Sequence, residues 1–138
     1  MAKRLGKFEF LEHMADIKIK ASGKTLNEIF ENAVLAIAEY CSGGEKISNK
    51  KGKVINVKGN DNESLLYNFI DEILYLIDAK RFIPVMAKVK IKDNSLTAEL
   101  SGDSTDKYKL EHIKAATYAE MSIKKVKSNW QAIFVLDV

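Results

Sequence analysis

The last residues of this sequence, Trp130 to Val138, read WQAIFVLDV. Side chains alternate across a strand, so Trp130, Ala132, Phe134, Leu136 and Val138 share one face and Ile133, Val135 and Asp137 the other. A carboxylate on so apolar a face needs a counter-charge, a cation or the open end of a sheet. Val138 adds main-chain oxygens beside it, with a free terminal carboxylate. Adjacent hard oxygen donors on a rigid strand suit a divalent cation such as Ca²⁺ or Mg²⁺. By itself the spacing also leaves open a frayed end with Asp137 in water.

A second carboxylate, Asp16, closes the stretch Glu12-His13-Met14-Ala15-Asp16. Upstream, Phe8 and Phe10 put the apolar positions on even numbers; downstream, Ile17, Ile19 and Ala21 put them on odd numbers. A period of two cannot change phase without a turn, a bulge or an end. Such a break re-aims side chains, and Asp16 sits on it. An Asp there also serves as an ordinary turn residue satisfying its own backbone. His13 stands near enough in sequence to support a ligand or simply to be hydrogen bonded. Spacing does not show whether Asp16 and Asp137 meet.

Other chemistry is sparse. Glu120, in Lys114–Met121 (KAATYAEM), is a potential base or ligand, with a cross-strand ion pair to a lysine as the plainer expectation. His13 and His112 are the only histidines and Cys41 the only cysteine, which rules out an internal disulfide and disfavours thiolate zinc sites. Cys41 falls where a helix should end and reads as a small buried hydrophobe. The SGDS stretch around Gly102 is not a phosphate loop, and no nucleophile, base and oxyanion site assembles. The lysines fall in two sets. Lys88, Lys90 and Lys92 form a stripe that Lys18 and Lys20 would extend, while Lys114, Lys124, Lys125 and Lys127 gather along a later strand. Either set is a solvated face or a footprint for RNA phosphates or an acidic protein.

The 138 residues carry a net charge of +3, too mild to argue nucleic-acid binding alone, and their 46% hydrophobic content is that of a globular chain. One domain over 1–138 is expected. No apolar run approaches a membrane span, and MAKRLGKFEF lacks a signal-peptide core, so a cytoplasmic protein is expected.

The elements that must position these groups alternate in period. Thr25 with Glu28 forms a capping box before Leu26, Ile29, Phe30, Ala33, Val34 and Ile37, which recur at helical steps until Gly43-Gly44. A short strand follows at 53–58. Asn60 or Asp61 caps a second helix with a wide stripe of Leu66, Phe69, Ile70, Ile73, Leu74 and Ile77. From Phe82 the period is two again, with a hairpin at Asp93-Asn94, a polar loop over Ser101–Tyr108, a strand over about 113–126 and a last strand over 130–138. That last strand is apolar on both faces and should be central. The order predicts an α+β domain: a mainly antiparallel sheet carrying two amphipathic helices.

HMADI (His13–Ile17), GKTLNEIFENA (Gly23–Ala33), SLLYNFIDEILYLID (Ser64–Asp78), KAATYAEM and the terminal VLDV, in this order and spread over nearly the whole chain, resemble the archease family. The resemblance implies a non-catalytic activator of the RtcB-type RNA ligase of tRNA splicing, promoting ligase guanylylation and multiple turnover; the Mn²⁺ and GTP belong to the ligase. It implies a divalent cation, calcium or magnesium, held by Asp16, Asp137 and main-chain oxygen of Val138, so that an extension after Val138 should weaken the site. His13, Glu120 and Lys114 are then supporting or partner-contacting residues. Many members have histidine where this chain has Ala119 in TYAE, so any role of that histidine is absent here. Other readings are a chaperone or specificity factor for another tRNA enzyme such as a methyltransferase, a metal-dependent hydrolase, and a plain RNA-binding module.

Overall fold

The computed structural model describes residues 7–13 and 15–138. The first six residues of MAKRLGKFEF, and Met14 of the HMADI stretch, lie outside the described residues. Along the chain run β1 (Phe8–Leu11), β2 (Ile17–Gly23), α1 (Leu26–Ser42), β3 (Lys51–Lys58), α2 (Asn62–Asp78), β4 (Phe82–Lys92), β5 (Ser95–Ser104), a 3-10 turn (Thr105–Lys107), β6 (Ala115–Val126) and β7 (Asn129–Asp137).

Local chemistry accounts for the helix ends. Thr25 Oγ1 accepts the Glu28 N–H, while the Glu28 carboxylate accepts the Lys24 N–H, one residue earlier than the reciprocal bond of a strict capping box. Left-handed Gly43 closes α1. Asp61 caps α2, its side chain accepting the Ser64 N–H while Ser64 Oγ accepts from the Asp61 backbone.

The strands form two antiparallel sheets, β1-β2-β7-β6 and β3-β5-β4. The α+β class with two helices is as the sequence predicts; one sheet becomes two. The reason lies in the helices. Buried residues wrap widely around α1 (Ile29, Phe30, Ala33, Val34, Ala36, Ile37) and α2 (Leu65, Leu66, Phe69, Ile70, Ile73). A stripe that broad needs cover on two sides. Each helix touches both sheets, α1 through β2 and β4, α2 through β6 and β4. Phe30 and Phe69 meet between them, ring centroids 5.7 Å apart.

Two further features follow from pairing. Where the sequence leaves open a turn, a bulge or an end before α1, the pairing makes two strands, β1 and β2. And Lys18 and Lys20 do not extend the Lys88–Lys92 stripe, because β2 and β4 lie in different sheets; they pair instead with Glu120 and Glu9.

The first half of the expected loop at Ser101–Tyr108 is strand, since β5 runs through Ser104, and the rest is the 3-10 turn and its end. What holds it is Asp103, a buried carboxylate. Its Oδ2 accepts from the Tyr108 hydroxyl at 2.8 Å and the Ser48 hydroxyl at 2.9 Å, and its Oδ1 accepts the Ser104 N–H at 2.8 Å. These bonds, Tyr108 first, hold the Asp103 carboxyl far below its ordinary value of 3.8. A depressed folded-state value stabilises the fold fully above 3.8, and that share is lost as pH falls below it. Acid unfolding of Asp103→Asn, followed by circular dichroism, is therefore expected to show a lower Tm near neutrality and a shallower loss of Tm below pH 3.8 than wild type.

Cys41 is buried at the end of α1, as its sequence position predicts. Burial, then the charges of Asp78 and Glu111, push its thiol up to about 12. Thiolate is the reactive species. Disulfide reagents at pH 8 should leave the native thiol unlabelled over minutes and titrate it at once in denaturant.

Candidate functional site

The phase change at residues 12–16 is the connection of a hairpin. Phe8 opposes Ala21 and Phe10 opposes Ile19, so even positions of β1 share a face with odd positions of β2. Ala15, at φ +66, takes the left-handed conformation in this connection. Asp16 is the last residue before β2 begins.

From there β2 runs antiparallel to β7, which is central in its sheet as predicted. The last registered pair is Ile17 with Leu136. One step further, the same register sets Asp16 opposite Asp137. On its other side Asp137 opposes Ala115 of β6, and its carbonyl accepts the Lys114 N–H at 2.7 Å. Cross-strand partners share a face, so Asp137 belongs with Lys18 and Val135 on the side of the sheet turned away from Ile19 and Phe134, and Asp16 adjoins the same end at the start of β2. Asp16, Asp137 and Val138 are all half-buried. Neither aspartate has a side-chain ion pair among the described residues.

Above this face β6 departs from regularity. Thr117 opposes Val135 and Ser122 opposes Ile133, so residues 118–121 stand against the single residue Phe134. Glu120, at φ +58, is in this bulge. It reaches over β7: Lys18 Nζ donates to its Oε1 at 2.7 Å, and His13 Nε2 lies 2.9 Å from its Oε2. Lys18 first, then His13, hold the Glu120 carboxyl below its ordinary range. The span clasps the β1–β2 connection to β6; Val135, on the same outer face, is buried. Tyr118 turns to α2 and stacks on Tyr67, centroids 4.1 Å apart and 9° from parallel.

The structure thus brings His13 and Glu120 into contact, and gathers Asp16, Asp137, Val138 and Lys114 at the same end of the sheet. Lys114 meets Asp137 through its backbone; the residue is otherwise exposed. Lys18 is the participant that sequence reasoning missed. Its signal was present: two residues after Asp16, it must share that residue's face of β2. Ala119, like Glu120, is exposed in the bulge.

No three His, Cys, Asp or Glu residues gather as a metal cluster among the described residues. The set at the sheet end is of a different kind: two carboxylates and main-chain oxygen. Like charges directly opposite across strands repel. A hard divalent cation would offset that repulsion, and all-oxygen donors fit Ca²⁺ or Mg²⁺ rather than a thiolate- or imidazole-seeking metal. Asp16, Asp137 and Val138 would hold it; the cation would supply a fixed positive charge and tie β2 to β7.

Fold and site together define a small two-sheet α+β protein with an oxygen-lined site where its central strand ends. The model of the archease protein family matches residues 8–138. The archease of Sulfurisphaera tokodaii is 37% identical, the match covering 96% of this chain and 99% of that protein; the archease of Methanosarcina barkeri is 36% identical, with all of both chains covered. A solution structure of a Methanobacterium thermoautotrophicum protein superposes with a TM-score of 0.69 at 27% identity, covering 97% of this chain and 100% of the other. A crystal structure of a Thermotoga maritima archease, described as a possible chaperone, superposes with a TM-score of 0.67 over 100% of this chain and 98% of the other; at 20% identity it bears on the fold alone. The chain belongs to the archease family.

No helix of the described residues is long and apolar enough to cross a membrane.

Proposed function

We propose that this protein is a non-catalytic, divalent-cation-binding activator of the RtcB-type RNA ligase of tRNA splicing, promoting guanylylation of the ligase and its multiple turnover in the cytoplasm. Family membership supports this reading. The observation that supports it is the pairing of Ile17 with Leu136, which brings Asp16 and Asp137 to the same end of the β2–β7 pair, near the bridge of Glu120 to Lys18 and His13. The arrangement offers charge and a shaped surface, with no nucleophile and base aimed at a common point among the described residues; a role in positioning a partner enzyme suits it better than turnover of its own. The exposed Lys114 and the Tyr118 bulge flank the site and are the groups a ligase would meet.

The test is multiple-turnover RNA joining by the cognate ligase with and without this protein. Stimulation of joining and of ligase guanylylation is the expected result; ligase turnover unchanged by its addition would sink the reading. One alternative is a chaperone or specificity factor for another tRNA enzyme such as a methyltransferase. That reading expects the protein to keep such an enzyme soluble or selective while ligation is unaffected.

A further inference from the structure

In the smaller sheet, the starts of β3 and β4 and the end of β5 border an open pocket of about 380 Å³. Lys51, Lys53, Lys80 and Arg81 line it together with Gly52, Phe82, Ser104 and one acid, Asp106. Four cations against one carboxylate leave three positive charges in excess. Arg81, in the left-handed conformation at φ +55, is aimed by Asp106, whose Oδ1 accepts from both Nε and Nη2. Those bonds use two of the five guanidinium donors and leave the rest of the fork. Lys51, Lys53 and Lys80 make no ion pair among the described residues. Two of them lie instead over aromatic rings: Lys53 Nζ is 5.8 Å from the Phe82 centroid and Lys80 Nζ 5.9 Å from that of Tyr75. Tyr75 is 49% exposed, on the solvent side of α2 with Asp71 and Asp78.

A guanidinium fork with flanking lysines is suited to phosphate oxygens. A groove of positive charge beside an exposed aromatic face is the combination by which proteins hold single-stranded nucleic acid: backbone in the charge, base on the ring. Two larger openings specify no ligand charge: one between α1 and β4 mixes Glu31, Glu39 and Glu45 with Lys7 and Lys46, and one between α1 and the β6–β7 turn mixes Glu28 and Glu31 with Lys7, Lys24 and Lys127.

We propose that the Lys51–Lys53–Lys80–Arg81 pocket binds a phosphate of a single-stranded polynucleotide, with an adjacent base against Tyr75. The site is separate from the Asp16–Asp137 face and does not rest on ligase activation: a protein that fails to stimulate joining would still bind the strand.

Fluorescence anisotropy of a labelled short oligouridylate, titrated with the full chain at several salt concentrations, tests this. The side chains concerned are exposed, so the variants should fold, and circular dichroism checks it. Lys51→Gln/Lys80→Gln is expected to weaken binding at least about tenfold and to flatten the slope of log K against log salt by up to about 0.7, the share of the one single-strand phosphate contact. Tyr75→Ala should weaken binding about tenfold through lost stacking. Lys88→Gln/Lys90→Gln, on the outer face of the same sheet, removes equal charge and should leave affinity within about twofold. Equal losses in that control would mean diffuse attraction and overturn the proposal. Competition by uridine monophosphate as effective as by the oligomer, or equal binding of oligoglutamate-displaceable probe in all variants, would overturn it as well.

Discussion

Asp16→Ala and Asp137→Ala are each expected to abolish stimulation of the ligase while leaving the fold intact, and to lower Ca²⁺ or Mg²⁺ affinity more than about tenfold. Loss of a group that merely supports a ligand costs about 10- to 100-fold in metal affinity, and a direct ligand should cost at least as much. A readout independent of the ligase follows from the opposed carboxylates. Without cation, wild type carries the repulsion of Asp16 against Asp137; neutralising one should leave stability unchanged or raise it by up to about 1 kcal/mol. With cation present the order should reverse, because a ligand at about 100 times its Kd adds about 2.7 kcal/mol to the state that binds it. Thermal unfolding of wild type, Asp16→Asn and Asp137→Asn, in chelator and in excess Ca²⁺, reads both signs. Variants less stable than wild type in chelator, with no response of wild type to cation, would show the carboxylates to be structural and remove the basis for a shared ion.

The largest stability effect is expected from one missing side chain. At Gly102, in β5 beside the irregularity between Pro84 and Met86 of β4, an added Cβ would lie 1.9 Å from the carbonyl oxygen of Ile83 and 2.8 Å from the Cα of Pro84. Both obstacles are backbone, so no rotamer change relieves them. Gly102→Ala must push β4 from β5 and disturb the buried Asp103 next to it. Overpacking usually costs about 1–3 kcal/mol; against immovable backbone about 4 kcal/mol or more is expected, a large part of a small domain's 5–15 kcal/mol. Gly52→Ala on the neighbouring strand is the matched control. Its Cβ would meet the Leu100 carbonyl at 3.5 Å, an ordinary contact, and stability should change by less than about 0.5 kcal/mol. Urea unfolding compares the two. A Gly102→Ala midpoint close to that of wild type would mean that the two strands separate without cost.

What this sequence determines by itself is everything set by near neighbours along the chain. The helical stripes of α1 and α2, the Thr25 and Asp61 caps, the Gly43 stop and the Asp93-Asn94 hairpin are legible because each rests on side chains within a turn of one another. The burial of Cys41 and the central place of β7 are legible for the same reason, since a strand apolar on both faces must be covered on both. So was the special character of residues 12–16, because a phase change is a local fact. The choice of partner was not local. That β2 lies against β7 in the register setting Asp16 opposite Asp137, that Lys18 reaches Glu120 across a strand while Lys88 lies in another sheet, and that Ser101–Ser104 is strand rather than loop were decided only in three dimensions. Polar residues such as Asp103 read as loop until their partners are known, and its partners include Ser48, brought close by the fold rather than by the chain. Register between strands distant in sequence is selected by how two whole faces pack, a free energy that no short window of residues contains.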